Sequence, residues 1–202
     1  MDVVALSEGL TAEMVLEAYP RGLFPMAHVE EEVVTWHRPN VRAILPLGAY
    51  HVPRRLARTL AQERFLVTFD TAFRDVMAGC AAGRPVWISA EFQRVYGELH
   101  DRGFAHSVEV WSDSGARLVG GLYGLAMGGA FFAESKFHLQ RDASKVAVVS
   151  LIRRLVSRNF TLLEVQYLTD HLKQFGALEI PHSDYTSRLR QALSKEVSFG
   201  SA

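Results

Sequence analysis

The sequence predicts an α+β protein built around a mixed sheet. Two observations predict this class. After residue 64 the chain alternates between strand and helix patterns, and its longest uncharged run, residues 118–133, is punctuated by glycines as two buried strands with a tight turn would be. Strands mixed with helices, with an antiparallel part at the centre, indicate an α+β fold or a mixed sheet. With 202 residues, of which 49% are hydrophobic, the chain can bury a sizeable core.

Each element is predicted from its local pattern, beginning with a helix over residues 53–64. Pro53 suits a first helical turn. Leu56 and Leu60 form one face of that helix, and Arg54 and Arg58, four residues apart, share another. Strand, helix, helix, strand, strand and strand then follow in this order, at residues 65–69, 71–82, 90–102, 105–111, 117–126 and 130–137.

The last third of the chain is predicted to hold one long helix, a strand and two short helices. Asp142 is a candidate N-cap for a helix over residues 142–158. The apolar stripe of this helix consists of Val148, Leu151, Ile152 and Leu155. A strand over residues 161–167 follows, and short helices are expected near residues 170–175 and 183–193.

Charge is distributed unevenly along the chain. Residues 1–35 hold seven acidic side chains against Arg21 alone, whereas residues 36–64 hold six arginines against Glu63 alone. Together with the change in composition after residue 64, this predicts a small N-terminal domain over residues 1–62 and a second domain over residues 63–202. The arginines of the helix 53–64 allow two interpretations, a solvated face or a face that contacts phosphates, since guanidinium groups match phosphate oxygens.

Composition disfavours several classes of function. A formal net charge of zero argues against a uniformly basic nucleic-acid coat, although it allows a local basic face. The lone cysteine, Cys80, excludes an intrachain disulfide and a cysteine-based metal cluster and fits a reducing compartment.

No uncharged run reaches the roughly 20 residues of a membrane helix and the N-terminus lacks a basic leader, so a cytoplasmic protein without membrane contact is expected. No metal-ligand spacing, nucleophile elbow or phosphate-binding glycine loop occurs, and no metal site is predicted.

Two predicted strands carry polar side chains on apolar faces. Alternation puts Glu164 and Gln166 on one face of the strand 161–167. It likewise puts Phe132, Glu134 and Lys136 on one face of the strand 130–137. Three interpretations are open: satisfied buried polar groups, a pair between Glu134 and Lys136, or two carboxylates that converge on a cationic amine, one of them accepting its proton.

Several stretches, in their order and spacing, resemble the bacterial leucyl/phenylalanyl-tRNA–protein transferases. They are AYPRGLFP at residues 18–25, WHRPNVRAIL at residues 36–45, GGLYG at residues 120–124 followed by Glu134-Ser135, DASK at residues 142–145 followed by Val165-Gln166, and the tail pairs His171-Leu172, Gly176-Ala177 and Ile180-Pro181. The resemblance covers about residues 5–193. It implies a small N-terminal domain and a C-terminal domain with a fold similar to N-acetyltransferases (GNAT-like).

The resemblance also implies an activity. Such enzymes move an amino acid, usually leucine or phenylalanine, from its tRNA to the N-terminal amine of proteins that begin with Arg or Lys, which marks these proteins for ATP-dependent degradation. The implied partners are aminoacyl-tRNA and protein N-termini, no cofactor beyond the charged tRNA is implied, and a monomer is expected. Because the donor is an activated ester, the enzyme mainly has to align it with a neutral amine and to stabilise the tetrahedral intermediate.

Carried over residue by residue, the resemblance implies a catalytic site. Glu164 matches the catalytic carboxylate and Gln166 its partner amide. Glu134 matches the acid that positions the aminoacyl end, with Tyr19 and Tyr96 nearby. Two roles stay open for Glu164, since it can act as a base or only orient the amine through Gln166.

Two further sets follow from the same comparison. The pocket for the donor side chain maps to Met26, Leu122, Phe132, Lys136 and Leu155. Arg54 and Arg58 match the basic helix that is expected to hold the tRNA. Arg42 is expected in the set that faces tRNA too, and so is Trp36, as an exposed stacking surface, because it follows an acidic stretch and precedes His37-Arg38-Pro39.

Three positions depart from the pattern of the family. Glu164 stands where Asp is usual, which moves the carboxylate by about 1.5 Å. Lys136 stands where Met is usual, and an ammonium group in an apolar pocket needs a partner such as Glu134. Met26 stands where Trp is common. The donor amino acid preferred by this chain can therefore differ from leucine or phenylalanine.

Other functions remain to be compared with the transferase. The same transfer with another donor or acceptor residue is one of them. An acyl-CoA N-acetyltransferase is disfavoured, because the helix 142–158 is entered through QRDAS at residues 140–144 and not through a glycine-rich pyrophosphate turn. A catalytically inactive tRNA- or peptide-binding module is kept open by the departures at Glu164 and Lys136.

Overall fold

A computed structural model describes residues 3–28, 33–82, 88–112 and 115–200. Its strands are β1 (Val3–Ser7), β2 (Phe24–His28), β3 (Val33–His37), β4 (Val41–Ile44), β5 (Phe65–Phe69), β6 (Ala105–Ser112), β7 (Leu118–Met127), β8 (Ala130–His138), β9 (Leu162–Glu164) and β10 (Leu178–Pro181). Its α-helices are α1 (Ala12–Ala18), α2 (Arg54–Ala61), α3 (Phe73–Ala81), α4 (Ala90–Asp101), α5 (Ala143–Ser157), α6 (Asp170–Lys173) and α7 (His182–Leu193), and a 3-10 helix, Tyr19–Arg21, follows α1. Most elements expected from residue 53 onward are present with bounds within two residues of the prediction.

The strands form two sheets. The smaller one has the order β1-β3-β2 and is antiparallel. The larger one has seven strands in the order β10-β4-β9-β8-β7-β6-β5. Its neighbouring strands are antiparallel except for β8 and β9, which are parallel and are connected through α5. The predicted α+β class with a mixed sheet is confirmed.

The chain passes from the small sheet to the large sheet between β3 and β4. The small sheet uses only strands from residues 3–37, whereas β4 already lies between β10 and β9 of the large sheet. The division into domains at residue 62 stays a prediction.

The seven-stranded sheet separates two apolar cores. One core contains residues of α3, α4, α7 and the small sheet together with Tyr123 and Leu125 of β7. The other contains residues of α2 and α5 together with Leu122 of β7 and Val110 of β6. Neighbouring residues of β7 thus enter opposite cores, as expected for a strand that is covered on both faces.

Two glycines allow the close approach of β7 to its neighbours. A Cβ on Gly124 would collide with the backbone oxygen of Phe132 in β8. Gly128, in the turn between β7 and β8, has a φ of 51°, and a Cβ there would lie 2.7 Å from the backbone oxygen of Leu193. The interpretation of the glycine-rich run as close packing and a tight turn is confirmed.

A β-bulge changes the predicted faces of β8. Tyr123 pairs with Ser135 and Gly124 pairs with Ala133, which leaves Glu134 as the extra residue. Lys136 consequently pairs with Leu122, whose side chain belongs to the core on the α5 side, while Phe132 belongs to the opposite core. The prediction that Phe132, Glu134 and Lys136 share one face is wrong, because the bulge reverses the alternation.

Two other local expectations need correction. β9 ends at Glu164 and not at residue 167, because Gln166 has a φ of 59° and turns the chain. Asp142 occupies the N-cap position of α5, as predicted, but it has a φ of 70° and its side chain makes no capping bond. Its carboxylate instead accepts a hydrogen bond from the Lys145 Nζ at 3.0 Å.

Candidate active site

The parallel strands β8 and β9 separate at the centre of the large sheet. Their last paired residues are Phe132 and Glu164. Beyond this point β8 continues through the bulge at Glu134, while the chain after β9 turns away at Gln166. The two strands therefore leave an opening between them, and side chains from both strands reach it.

Two adjoining depressions occupy this opening. The first, the apolar cavity, is lined mainly by aliphatic side chains of β8, β9, α5 and nearby segments: Leu45, Leu122, Ala133, Val148, Leu151, Leu163, Val165 and Leu172, with Glu134, Ser135 and Lys136 as the polar members. The second, the polar groove, shares Glu134, Ser135, Lys136, Val165 and Leu172 and adds Pro25, Met26, Gln166, Tyr167 and Thr169. Glu134 and Lys136 thus lie where the two depressions meet.

Glu134 is held by hydrogen bonds from two directions. The Tyr19 Oη donates to its Oε1 at 2.7 Å, and the Gln166 Nε2 donates to its Oε2 at 3.2 Å. The Tyr96 Oη lies 2.8 Å from the Tyr19 Oη. Because the hydroxyl hydrogen of Tyr19 is directed at Glu134, Tyr96 is the donor in the bond between the two tyrosines. Four residues that the sequence assigned to the site are thereby brought together.

Burial controls protonation in this network. Burial raises the pKa of Glu134 to about 8, against the hydrogen bond from Tyr19, which lowers it, and with the charge of Glu164, which raises it further. Burial also raises the pKa values of Tyr19 and Tyr96 well above their usual range, so both hydroxyl groups remain hydrogen-bond donors. Glu134 is therefore a carboxyl group whose charge changes near neutral pH.

Glu164 is placed differently from Glu134. It is 0% exposed and forms an ion pair with Arg42, whose Nη2 lies 2.9 Å from the Glu164 Oε1. The same oxygen accepts a hydrogen bond from the backbone N–H of Gln166 at 2.7 Å. Burial raises the pKa of Glu164, and the charge of Arg42 opposes this effect. Among the described residues, Glu164 lines neither depression.

The set assigned to the donor side chain is divided by the fold. Leu122 and Lys136 line the apolar cavity, and Met26 lines the adjoining groove. Phe132 is fully buried beneath Tyr19, its ring edge-on at 5.0 Å, and Leu155 is fully buried in the core on the α5 side. Phe132 and Leu155 line neither of the two depressions, and their place in the donor pocket stays a prediction.

The set assigned to tRNA is divided as well. Arg54 and Arg58 are exposed on α2. Arg42 is 1% exposed inside the protein, and Trp36 is 6% exposed with its Nε1 donating to the Ser7 Oγ at 3.1 Å. Neither of them forms part of a tRNA-facing surface, so these two assignments are corrected.

A basic depression lies beside α2. Its two adjoining parts, between α2, β5 and α5, are lined by Arg55, Arg64, Arg141 and Arg153. The concentration of guanidinium groups here extends the exposed basic face that Arg54 and Arg58 form on the same helix. Within the described ranges, no group of three or more His, Cys, Asp or Glu side chains is arranged to hold a metal ion.

Sequence reasoning missed several residues of the site. The aliphatic lining from Leu45, Val148, Leu151, Leu163 and Leu172 has no signal beyond ordinary hydrophobicity, because it depends on where β8 and β9 separate. Arg42 had a signal. It alternates with Ala43 in β4 and shares a face with Ile44, which is the pattern of a buried position.

Comparisons with known proteins identify the family of this chain. A family model described as leucyl/phenylalanyl-tRNA protein transferase matches residues 44–190, and a model of the N-terminal domain of the same family matches residues 8–40. Proteins named leucyl/phenylalanyl-tRNA–protein transferase are 50% identical over 193 residues in Phenylobacterium zucineum and 51% identical over 195 residues in Paramagnetospirillum magneticum. These alignments cover 93% and 94% of this chain and 86% and 92% of the relatives.

A solved structure shares the fold at much lower identity. It is described as the structure of L-PGS from Bacillus licheniformis and aligns with a TM-score of 0.50 and 8% identity, over 78% of this chain and 66% of that chain. In the part of the chain that the structure describes, no helix is both long enough and apolar enough to cross a membrane. The family models and the relatives cover nearly the whole chain, which therefore belongs to the leucyl/phenylalanyl-tRNA–protein transferases, a family of aminoacyltransferase enzymes.

Proposed function

We propose that this enzyme transfers leucine or phenylalanine from aminoacyl-tRNA to the α-amine of proteins that begin with Arg or Lys, and so marks them for degradation. Membership of the family supports the donor and the type of reaction. The observation that carries the proposal is the position of Glu134, a buried carboxyl group with a pKa of about 8 where an apolar cavity meets a polar groove.

The proposed reaction is an aminolysis of the donor ester. The α-amine attacks the ester carbonyl, a C–N bond forms, and the C–O bond to the terminal ribose of the tRNA breaks. One proton moves from the amine to the ribose oxygen, which balances the step. Because the donor ester is already activated, we propose that no metal and no further cofactor takes part, and that the site acts by alignment and by hydrogen bonds to the developing charge.

Glu134 is the proposed acceptor of the amine proton. A protein α-amine has a pKa of about 7.7–8.0. The pKa of Glu134 is about 8, so the two groups are closely matched. Proton transfer is efficient between groups whose pKa values lie near each other and near the working pH. From Glu134 the proton can pass to the ribose oxygen as it leaves.

Gln166 and Glu164 are proposed to have different roles. The side chain of Gln166 lines the groove, so its amide can contact the substrate as well as Glu134. Glu164 lines neither depression and binds the backbone N–H of Gln166, so it acts through Gln166. Of the two roles that the sequence left open for Glu164, orientation is the one we propose.

The GNAT-like assignment of the C-terminal part is also proposed. It is supported by the mixed sheet and by the parallel pair β8–β9, connected through α5, which separates to form the site. We further propose that the enzyme acts as a monomer in the cytoplasm, where charged tRNA is available, and that residues 1–62 form a unit that faces tRNA in part.

A transfer assay tests the function directly. The enzyme is incubated with a pool of radiolabelled aminoacyl-tRNAs and with peptides that begin with Arg, Lys, Asp, Glu or Met. Transfer of Leu or Phe to the Arg and Lys peptides is expected. Transfer of another amino acid, or to another peptide, keeps the reaction but corrects its specificity. Absence of transfer with tRNA still bound contradicts the proposal and favours a binding module, and protection by acetyl-CoA in a thermal melt would favour an N-acetyltransferase.

Lys136→Met is expected to raise kcat/KM for Leu and Phe transfer by about 10-fold, because methionine puts an apolar side chain in place of a charged one in the lining of the cavity. The measurement is a comparison of initial rates with purified Leu-tRNA and Phe-tRNA. An internal control is the pKa of His171, which burial and the charges of Lys136, Lys145 and His138 lower to about 4. It should rise in the variant in an NMR titration. If the pKa of His171 rises in the variant but kcat/KM for Leu and Phe transfer does not change, Lys136 is not part of the donor pocket.

Charge reversal of Arg54 and Arg58 to Glu is expected to weaken tRNA binding and to reduce the slope of log affinity against log salt by about 2, since each phosphate contact releases counterions. The matched control reverses Arg188 and Arg190, which are exposed on α7, on the opposite face of the large sheet. Binding is measured by titration at several salt concentrations. If the α2 variant keeps the wild-type slope, this helix lies outside the tRNA footprint.

A further inference from the structure

Arg42 is a buried charge to which the mechanism above gives no part. It lies on β4, is 1% exposed, and its guanidinium contacts three separate segments. The Nε donates to the Glu164 Oε1 at 3.1 Å, and the Nη2 forms an ion pair with the same oxygen at 2.9 Å. The Nη1 donates to the backbone oxygen of Gly22 at 3.1 Å, and the Nη2 donates to the Tyr185 Oη at 3.4 Å.

Two aromatic rings fix the plane of the guanidinium. Its carbon lies 4.8 Å from the ring centre of Phe24 and 4.6 Å from that of Tyr185. A planar cation between ring faces gains cation–π attraction and loses the freedom to rotate. Gly22 permits this approach, because it has a φ of 76° and a Cβ there would lie 3.3 Å from the ring of Tyr185.

From Arg42, two routes of contacts lead to Glu134. The first runs through Glu164, whose Oε1 binds the backbone N–H of Gln166 and so supports the left-handed backbone of that residue. The side chain of Gln166 then donates to Glu134. The second runs through Gly22, which directly follows the 3-10 helix that carries Tyr19, the other donor to Glu134. Arg42 therefore contacts the supports of both hydrogen-bond donors of Glu134.

We propose that Arg42 is a positioning residue for the transfer reaction: by holding Glu164 on one side and Gly22 on the other, it fixes Gln166 and Tyr19 around Glu134. This rests on the proposed function, in which Glu134 accepts the amine proton. The role requires the planar fork of Arg. Lysine would keep the charge but is a single donor centre on a flexible stem, and it cannot bind Glu164 and Gly22 in fixed directions.

A merely structural ion pair would behave differently. Replacement of a buried ion pair by apolar groups of similar volume is often neutral or stabilising, so a pair that served only the fold should be dispensable. A pair that positions Gln166 and Tyr19 should be required for turnover even in a variant that folds as well as the wild type. Stability and turnover therefore separate the two roles.

The experiment compares two variants with the wild-type enzyme. Arg42→Lys is expected to lower kcat by about 100-fold, the size of effect that a displacement of about 1 Å produces, while KM for aminoacyl-tRNA stays within about 3-fold. In protein labelled with ¹⁵N-glutamine, the backbone resonance of Gln166 should shift, because its bond to Glu164 changes. Arg190→Lys, an exposed change on α7, is the control and should leave both readouts unchanged.

The second variant keeps the test decisive if Arg42→Lys folds poorly. Arg42→Met combined with Glu164→Leu removes both charges, and we expect it to fold and yet to show a similar loss of kcat. Near-wild-type kcat in this folded double variant, or an unchanged Gln166 resonance in folded Arg42→Lys, overturns the proposal. If the wild-type enzyme itself transfers nothing, the proposed function fails, and the Gln166 resonance alone then decides whether Arg42 positions this residue.

Discussion

Glu134→Gln is expected to lower kcat for transfer by about 10²- to 10⁴-fold, the range that a positioned acid–base group contributes. Glutamine keeps the shape of the side chain and can still accept a hydrogen bond from Tyr19, but it cannot accept the amine proton. Binding of aminoacyl-tRNA should change by no more than about 3-fold, since the lost interaction belongs to the transition state. The measurement combines single-turnover transfer with a tRNA titration. A variant that retains near-normal kcat would remove Glu134 from proton transfer.

The pH profile provides a second readout of the same substitution. If Glu134 must be ionised to accept a proton, wild-type transfer should rise with pH through about 8, the pKa that burial gives this carboxyl group. The acceptor amine titrates in the same region, so both proteins are compared with one peptide. The titration of the amine contributes equally to both pH profiles. After this contribution is subtracted, the transfer rate of the wild type should still rise with pH, whereas that of Glu134→Gln should not.

Stability should respond in the opposite direction to turnover. The pKa of Glu134 is about 8 in the folded protein, whereas a glutamate in an unfolded chain has a pKa of about 4.3. Between these values the folded state binds more protons than the unfolded state, so the wild type loses stability as pH rises from about 4.3 to about 8. Glu134→Gln lacks this loss. Its Tm relative to the wild type should therefore increase across this window and level off above about pH 8, as thermal melts at several pH values would show.

The order of helices and strands could be predicted because it depends on local patterns. The stripe of α5 and the glycine-punctuated run of β7 and β8 are visible in the residues themselves. The bulge at Glu134 could not be predicted in this way. It arises because the register between β7 and β8 shifts by one residue between Tyr123 and Gly124, and this register depends on contacts between the strands. The prediction that Phe132 and Lys136 share a face was consequently wrong.

The family resemblance grouped residues that lie far apart in the sequence and close together in the fold, but it did not show which of them line a depression. Glu134, Gln166, Tyr19 and Tyr96 do come together. Arg42 was assigned to the set that faces tRNA, but it is buried in an ion pair. Its partner, Glu164, lies far away in the sequence and becomes its neighbour only because β4 pairs with β9. A pairing between distant strands cannot be inferred from the composition of either strand.

Glu164→Gln is the second substitution from which a large effect is expected. It leaves the buried guanidinium of Arg42 without a counter-ion, which should cost about 3–5 kcal/mol of unfolding free energy. For a domain of this size, that corresponds to a fall in Tm of about 6–20 °C. Turnover, assayed below the Tm of the variant, should fall far more than tRNA affinity. An amide oxygen at the place of Oε1 can still meet Arg42 and the backbone N–H of Gln166, but it carries no formal charge. Both hydrogen bonds therefore weaken, and Gln166 is held less firmly beside Glu134.

Glu164→Asp separates the effect of charge from the effect of reach. Aspartate keeps the charge of the pair and shortens the side chain by about 1.5 Å. If the charge is what matters, the Tm of Glu164→Asp should stay near that of the wild type, and its kcat should lie well above that of Glu164→Gln. If the longer side chain is needed to place an oxygen between Arg42 and Gln166, Glu164→Asp should keep its Tm but lose kcat, because Gln166 would no longer be held beside Glu134. Wild-type kcat in both variants would contradict any role of Glu164 in turnover and would leave the pair with Arg42 as a support of the fold alone.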